Sequence, residues 1–169
     1  GQIYLAGEEL NVHNPRDGID KGISVIHQEL SVVADLSVAE NIFLDDLPKT
    51  GGVLIDYKTL YQETARLMDS LKITNIHPRD IVRNLSAADR QMVEIMRAVS
   101  RKAKVVIMDE PTSSLSEREI EALFSVVERL KKQDVAVIYI SHKLNEIIEI
   151  GDDISIFKDG ELVCTDLVA

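Results

Sequence analysis

Cysteine is almost missing from this chain: Cys164 is the only one. A single thiol excludes an internal disulfide and a thiolate metal cluster. It suits a reducing compartment and predicts a small apolar side chain packed inside. Long hydrophobic runs are missing too. The longest, Val135 to Ile140, has the length of a core strand, far short of the roughly 20 apolar residues that cross a bilayer. The N-terminus carries no signal-peptide pattern, so any membrane role must come through a partner. Positive charge is scarce, with 19 Lys and Arg against 29 Asp and Glu and a net charge of -10. Such a field repels nucleic acid and acidic lipid. A polyanionic ligand would need local help from helix N-termini, a metal or a few placed cations. There is no internal repeat and no low-complexity tract.

What is present reads as a globular α/β chain. A length of 169 residues, 45% hydrophobic and 28% charged, suits one domain, or a domain with a subdomain. A short strand is expected before Ala6. Asn14-Pro15 is an N-cap followed by proline at the first helical position, opening a helix that stops near Gly22. Ile23 to Ile26 is a strand with His27-Gln28-Glu29 at its end. Ser37-Val-Ala-Glu40 is a capping box. Leu47 to Gly52 reads as a loop. From Asp56, Tyr57, Leu60, Tyr61, Leu67, Met68 and Leu71 share one helical face, and a second amphipathic helix runs from Ser86 to Ser100 on Met92, Ile95, Met96 and Val99. These helices predict a strand-free subdomain over 46–101, inserted into a core made of 1–45 and 102–169. The strand–helix rhythm then returns: a strand to Met108, a helix from the capping box Ser116-Glu-Arg-Glu119, the strand Val135 to Ile140, and a helix from Lys143 to Ile150. Asp153 to Lys158 and Glu161 to Cys164 make a hairpin around Asp159-Gly160, a type I′ signal. Met92, Met96 and Met108 are expected in the core.

The run Lys104-Val-Val-Ile-Met-Asp-Glu-Pro-Thr-Ser-Ser-Leu-Ser116 carries the most chemistry. A buried strand that delivers Asp109 and Glu110 to a loop brings acids where burial costs several kcal/mol unless a cation, proton or donor compensates. A solvated turn after a core strand would use the same letters. Alternating strands and helices imply a parallel sheet, whose strand C-termini carry ligands. Gln28, Asp109-Glu110 and Ser141-His142 would then share one edge. Ser86 sits at a helix N-terminus, where free N–H groups and about half a positive charge can seat a phosphate oxygen, although a plain helix cap accounts for it equally well. Ala87 and Ala88 are small enough to admit a ligand to the backbone.

In this order the segments resemble the nucleotide-binding subunit of ATP-binding-cassette (ABC) transporters over essentially the whole chain. Val25-Ile-His-Gln-Glu-Leu30 looks like the Q-loop, Leu85-Ser-Ala-Ala-Asp89 like the signature motif, and Val105-Val-Ile-Met-Asp-Glu-Pro-Thr112 like Walker B. Ser113-Ser-Leu-Ser116 resembles the D-loop and Ile140-Ser-His142 the switch-histidine loop. His27-Gln-Glu-Leu30, Leu36-Ser-Val-Ala-Glu-Asn-Ile42 and Gln91-Met-Val-Glu-Ile95 look most like the first cassette of tandem monosaccharide-import ATPases (ribose, galactose, xylose type). The signature departs from the usual Ser-Gly-Gly-Gln: Ala88 loses glycine's freedom, and Asp89 adds negative charge, with a second reading as the N3 member of a capping box with Ser86. No Gly-x-x-x-x-Gly-Lys-Ser/Thr occurs in the 169 residues, so the backbone cradle and lysine of a phosphate loop (Walker A) are not supplied. In the family that loop lies upstream of the first residue here, and its strand lies between Val135–Ile140 and the C-terminal hairpin. The resemblance thus implies a partial P-loop NTPase (RecA-like) parallel-sheet core with an inserted α-helical subdomain, and two bare sheet edges.

It also implies roles. Glu110 would polarise the water attacking the γ-phosphate of ATP, Asp109 would hold Mg²⁺, and His142 would contact the γ-phosphate. Gln28 would touch metal and water. Ser86, Ala87, Ala88 and Asp89 would clamp ATP bound by the opposite cassette, and Ser114 and Leu115 would communicate across the dimer. A loop acid, a structural histidine and a loop amide are the plain readings of the same residues. The implied partners are transmembrane permease subunits, a second cassette and, indirectly, a periplasmic sugar-binding protein, with no nucleic acid. The implied location is the cytoplasmic face of the cell membrane, as a peripheral subunit. Two other functions stand beside the import ATPase: a non-transport cassette ATPase, which the net charge of -10 disfavours, and a non-catalytic interaction module. A metal-dependent phosphatase on Asp109 and Glu110 lacks further ligands at suitable spacing.

Overall fold

The computed structural model describes residues 2–27, 31–113 and 115–168. Gln28 and Ser114, both singled out above, lie outside the described residues. A small antiparallel pair, β1 (Tyr4–Leu5) and β2 (Glu8–Glu9), precedes helix α1 (Pro15–Asp20). The Asn14 side chain accepts from Asp17 N, as an N-cap before proline should. Strand β3 (Ile23–Ile26) follows, then α2 (Val38–Ile42) with its capping box at Ser37 and Glu40. Strands β4 (Lys49–Thr50) and β5 (Leu54–Ile55) lead into α3 (Tyr57–Ser70). A 3₁₀ turn (Val82–Asn84) precedes α4 (Ala87–Ser100). The second half reads β6 (Val105–Asp109), α5 (Glu117–Lys131), β7 (Ala136–Ile140), α6 (Leu144–Ile150), β8 (Asp153–Lys158) and β9 (Glu161–Leu167).

Strand β6 lies between β3 and β7, parallel to both, with Val25, Ile107 and Ile138 in one row. Parallel pairing puts the three C-terminal ends at one edge. Side chains alternate across the sheet. Ser24, Ile26, Val106 and Met108 point into the core and are buried, joined by partly buried Val137 and Tyr139. Helices α4 and α5 cover this face with Met92, Ile95, Met96, Leu123, Val127 and Leu130. Met92, Met96 and Met108 are core residues, as their spacing predicts. On the other face Val25, Ile138 and Ile140 are about half exposed, at 47%, 50% and 46%. The far edge of β7 has no strand partner among the described residues, and β8–β9 pair only with each other.

Two expectations need correction. The stretch from Leu47 is not a plain loop, and 46–101 is not free of strands, because Lys49 pairs with Ile55 and Thr50 with Leu54. Gly51 and Gly52, both at positive φ, supply the left-handed turn that closes this hairpin. Cys164 is exposed rather than packed. It lies on β9, where every described residue is exposed, because the hairpin has no second layer to bury against.

The capping box of α2 is complete. Glu40 Oε2 accepts from Ser37 N at 2.9 Å and Ser37 Oγ at 2.6 Å, and Glu40 N donates to Ser37 Oγ at 3.2 Å. The Ser37 hydroxyl, ahead of the opposing effect of burial, holds the Glu40 carboxyl below its ordinary value of 4.5. A carboxyl with a depressed folded pKa stabilises above its unfolded value, and that contribution is lost as pH falls through the folded one. Glu40→Gln keeps the cap with a group that does not titrate. Urea unfolding from about pH 6 to about pH 3 should therefore show a shallower loss of stability for Glu40→Gln than for the parent chain; parallel curves would contradict the cap's role. Met96→Ala, at 0% exposure, should cost about 2–5 kcal/mol. Ile138→Ala on the open face should cost within about 1 kcal/mol by the same assay.

Candidate functional site

Each candidate residue at the sheet edge is placed by the end of a strand. Asp109 is the last residue of β6, opposite Ile140 at the end of β7. Glu110 follows in the left-handed region at φ 46°, a conformation that costs a non-glycine residue on the order of 1–3 kcal/mol. Its N–H donates to Ile140 O at 2.9 Å, so the sheet pairing outlasts the strand and fixes the turn. The side chain is thereby aimed across to the next loop, where Glu110 Oε1 lies 3.0 Å from His142 Nδ1. The carboxylate oxygen accepts, so an Nδ1–H makes this bond, and Nε2 has no hydrogen-bond partner among the described residues. The pair is open to solvent, His142 at 70% and Glu110 at 34% side-chain exposure. An exposed pair of this kind contributes about 0–1 kcal/mol, too little for stability to explain the strained backbone that presents it.

Beneath this pair lies a residue that sequence reading did not single out. Glu146, on α6, is 6% exposed and Thr112 is 2% exposed. Thr112 Oγ1 donates to Glu146, 2.7 Å from Oε1 and 2.9 Å from Oε2. Tyr139 OH and Ser141 Oγ donate to Oε2 at 2.9 and 3.0 Å, and Lys143 Nζ is 3.1 Å from Oε1. Burial pushes the Glu146 carboxyl up, but the bonds from Thr112, Lys143, Tyr139 and Ser141 together outweigh it and hold the group below 4.5. Burial and the same carboxylate raise the Tyr139 phenol well above its ordinary value. No local pattern announces this cluster, since 34 residues separate Thr112 from Glu146.

A second buried carboxylate steadies the chain after Gln28. Glu94 on α4, 6% exposed, accepts from Ser31 N at 2.5 Å and Ser31 Oγ at 2.6 Å. Asn41, fully buried, takes Val33 N and donates to Val33 O and Ser37 O. The segment from Ser31 to Ser37 is thus tied to α4 and α2.

The signature-like segment sits elsewhere. Ser86 caps α4, its hydroxyl accepting from Asp89 N at 3.1 Å. Only this half of the expected capping box forms. The Asp89 carboxylate turns instead to the Asn75 side-chain amide, from which it accepts a hydrogen bond. Ala87 is exposed and Ala88 is buried under the helix. Ser86, Ala88 and Asp89 line an open groove with Asn75, Ser116 and Arg118, and neither Asp109, Glu110 nor His142 enters its wall. The structure therefore brings Glu110 and His142 together and keeps Ser86, Ala88 and Asp89 apart from them. Leu115 is partly buried against the core.

No cluster of three metal-ligating side chains occurs among the described residues. Mg²⁺ asks for less, taking one or two carboxylates with water and phosphate oxygens completing its shell. Asp109, a hard oxygen donor at the C-terminal edge of the parallel sheet, could supply one such carboxylate.

The chain is similar to known proteins along most of its length. The family model for the ABC transporter matches residues 1–113. A putative ribose/galactose/methyl galactoside import ATP-binding protein of Halalkalibacterium halodurans is 50% identical over 167 residues, covering 98% of this chain and 32% of the relative. A ribose import ATP-binding protein of Geobacillus kaustophilus is 48% identical over 166 residues, with 98% and 33% covered. The chain thus spans about a third of the length of the curated relatives it matches. Among solved structures, an ATP-binding cassette in its ADP conformation superposes with a TM-score of 0.81 at 18% identity, covering 98% of this chain and 68% of that one. A dimeric post-hydrolysis cassette bound to ADP and Pi gives 0.78 at 19% identity, with 100% and 74% covered. At that identity the likeness shows the fold, an ATP-binding-cassette α/β core with a parallel sheet. On the family match and these identities together, the chain belongs to the ABC transporter family.

Proposed function

We propose that this chain is part of the ATP-hydrolysing subunit of an ABC importer for monosaccharides. The observation that carries the reading is the Glu110–His142 contact at the ends of two adjacent parallel strands, directly after Asp109. In this reading Glu110 takes a proton from the water that attacks the γ-phosphorus. The new P–O bond forms as the bond to the β-phosphate oxygen breaks and ADP leaves. With Nδ1 of His142 taken by Glu110, Nε2 is the nitrogen that would meet the γ-phosphate oxygens. Mg²⁺, when bound, screens the charge of the phosphates; Asp109 would hold it, with Gln28 beside it and the water.

Ser86 and the N–H groups of Ala87 and Ala88 serve a different nucleotide. Their groove shares no wall with Glu110 or His142, which supports a clamp on ATP held by a second cassette. Ser114 and Leu115 would then communicate between the two cassettes. The reading divides the chain into a core of 1–45 and 102–169 and a subdomain of 46–101 that bears the signature. The sugar class follows the relatives, which are named for import of ribose and galactose. The relatives' names as import ATP-binding proteins support seating the chain on transmembrane permease subunits at the cytoplasmic face. A periplasmic sugar-binding protein acts from the other side, and nucleic acid has no part.

Two measurements test this. In the protein that contains this cassette, assembled with its permease, Glu110→Gln should lower ATP turnover about 100-fold or more while ATP still binds; turnover at half the parental rate would sink the assignment. The isolated 169-residue chain, which carries no phosphate-loop lysine, should show no ATPase above background. Turnover by that chain that disappears in Glu110→Gln would overturn the view that the grip on the triphosphate lies outside it.

A further inference from the structure

We infer that Glu146 is a positioning residue for hydrolysis, which, through Thr112 and Ser141, clamps the loop carrying Glu110 against the loop carrying His142. The inference rests on the ATPase reading for its consequence, though not for its geometry. Thr112 lies two residues after Glu110, and Ser141 immediately precedes His142. Glu146 accepts from both hydroxyls, at 2.7 Å from Thr112 and 3.0 Å from Ser141. Lys143 closes the ring from the side: its ammonium lies 3.1 Å from Glu146 Oε1, and it donates to Thr112 Oγ1 at 3.3 Å and Thr112 O at 3.4 Å. Its backbone N–H donates to Ser141 Oγ at 3.0 Å. Tyr139 supplies the remaining donor from β7.

The burial of this cluster separates it from an ordinary surface network. A carboxylate at 6% exposure is tolerable only because its donors are present, and each donor is tolerable only beside the carboxylate. The arrangement therefore has one good geometry rather than several. The pair above it has the opposite character, being exposed and individually weak. The 3.0 Å separation of Glu110 and His142 is thus set from below, by a network that itself touches neither substrate nor water in flight. A displacement of about 1 Å at a reacting group can cost about 100-fold in rate, so a buried clamp at this place bears on turnover rather than on nucleotide affinity.

Three variants test it: Glu146→Gln, Thr112→Val, which keeps the β-branched shape but drops the hydroxyl, and Thr112→Ser, which restores the hydroxyl. In the assembled transporter, Glu146→Gln and Thr112→Val should lower kcat about tenfold or more with KM for ATP within about threefold, and Thr112→Ser should recover most of the loss. Amide hydrogen exchange on the chain itself gives a measure independent of ATP. Glu146→Gln and Thr112→Val should speed exchange about tenfold in both 110–113 and 141–143, leaving the amides of β6 unchanged. Parental kcat in a folded Glu146→Gln protein would overturn the inference. So would exchange that rises in only one loop, or uniformly across the chain. If the parent protein hydrolyses no ATP, the ATPase reading fails, and the paired exchange response still decides whether Glu146 couples the two loops.

Discussion

The parallel pairing of β6 with β3 on one side and β7 on the other is the constraint from which the site follows. Parallel strands held in register end together, so the residues after Ile26, Asp109 and Ile140 are delivered to one edge. The Glu110 N–H bond to Ile140 O extends that register one residue beyond the strands. It also holds Glu110 at a positive φ that the chain would not choose alone. Remove this pairing and the acids lose both their direction and their neighbour.

Around this edge the protein uses buried carboxylates as anchors. Glu146 ties the loops after β6 and β7 to each other, and Glu94 ties the loop after β3 to α4. The two are chemically alike, each nearly dry and each satisfied by hydroxyl and other donors. They differ from the solvent-facing Glu110 and His142. The polar interior is buried and hydrogen-bonded, and the groups above it stay exposed. The open sheet face bearing Val25, Ile138 and Ile140 is the counterpart of this order, since parallel sheets are ordinarily covered on both sides.

Much of the fold was legible because its signals are local. Asn14 before Pro15, the boxes at Ser37 and Ser116, and Asp159-Gly160 all act within four residues, and all formed where their spacing places them. The periodic faces of α3 and α4 were legible for the same reason. The β4–β5 hairpin was passed over because two-residue strands leave almost no alternation to read, although Gly51-Gly52 marked the turn. Cys164 was misjudged because residue type predicts burial only where a second layer exists.

The amino-acid sequence by itself determined the longer helices and strands, the caps at Asn14, Ser37 and Ser116 and the order of the motifs, since these depend on neighbours one to four residues away. It also identified Asp109, Glu110, His142 and Ser86 as the groups with chemistry to offer. Only tertiary structure decided that Glu110 and His142 touch, that Asp89 bonds Asn75 rather than closing its own cap, and that Glu146 joins Thr112 to Ser141. The Asn75–Asp89, Glu110–His142 and Thr112–Glu146 contacts span 14, 32 and 34 residues. Whether such groups meet is set by the packing of whole strands and helices, which no short stretch of chain encodes.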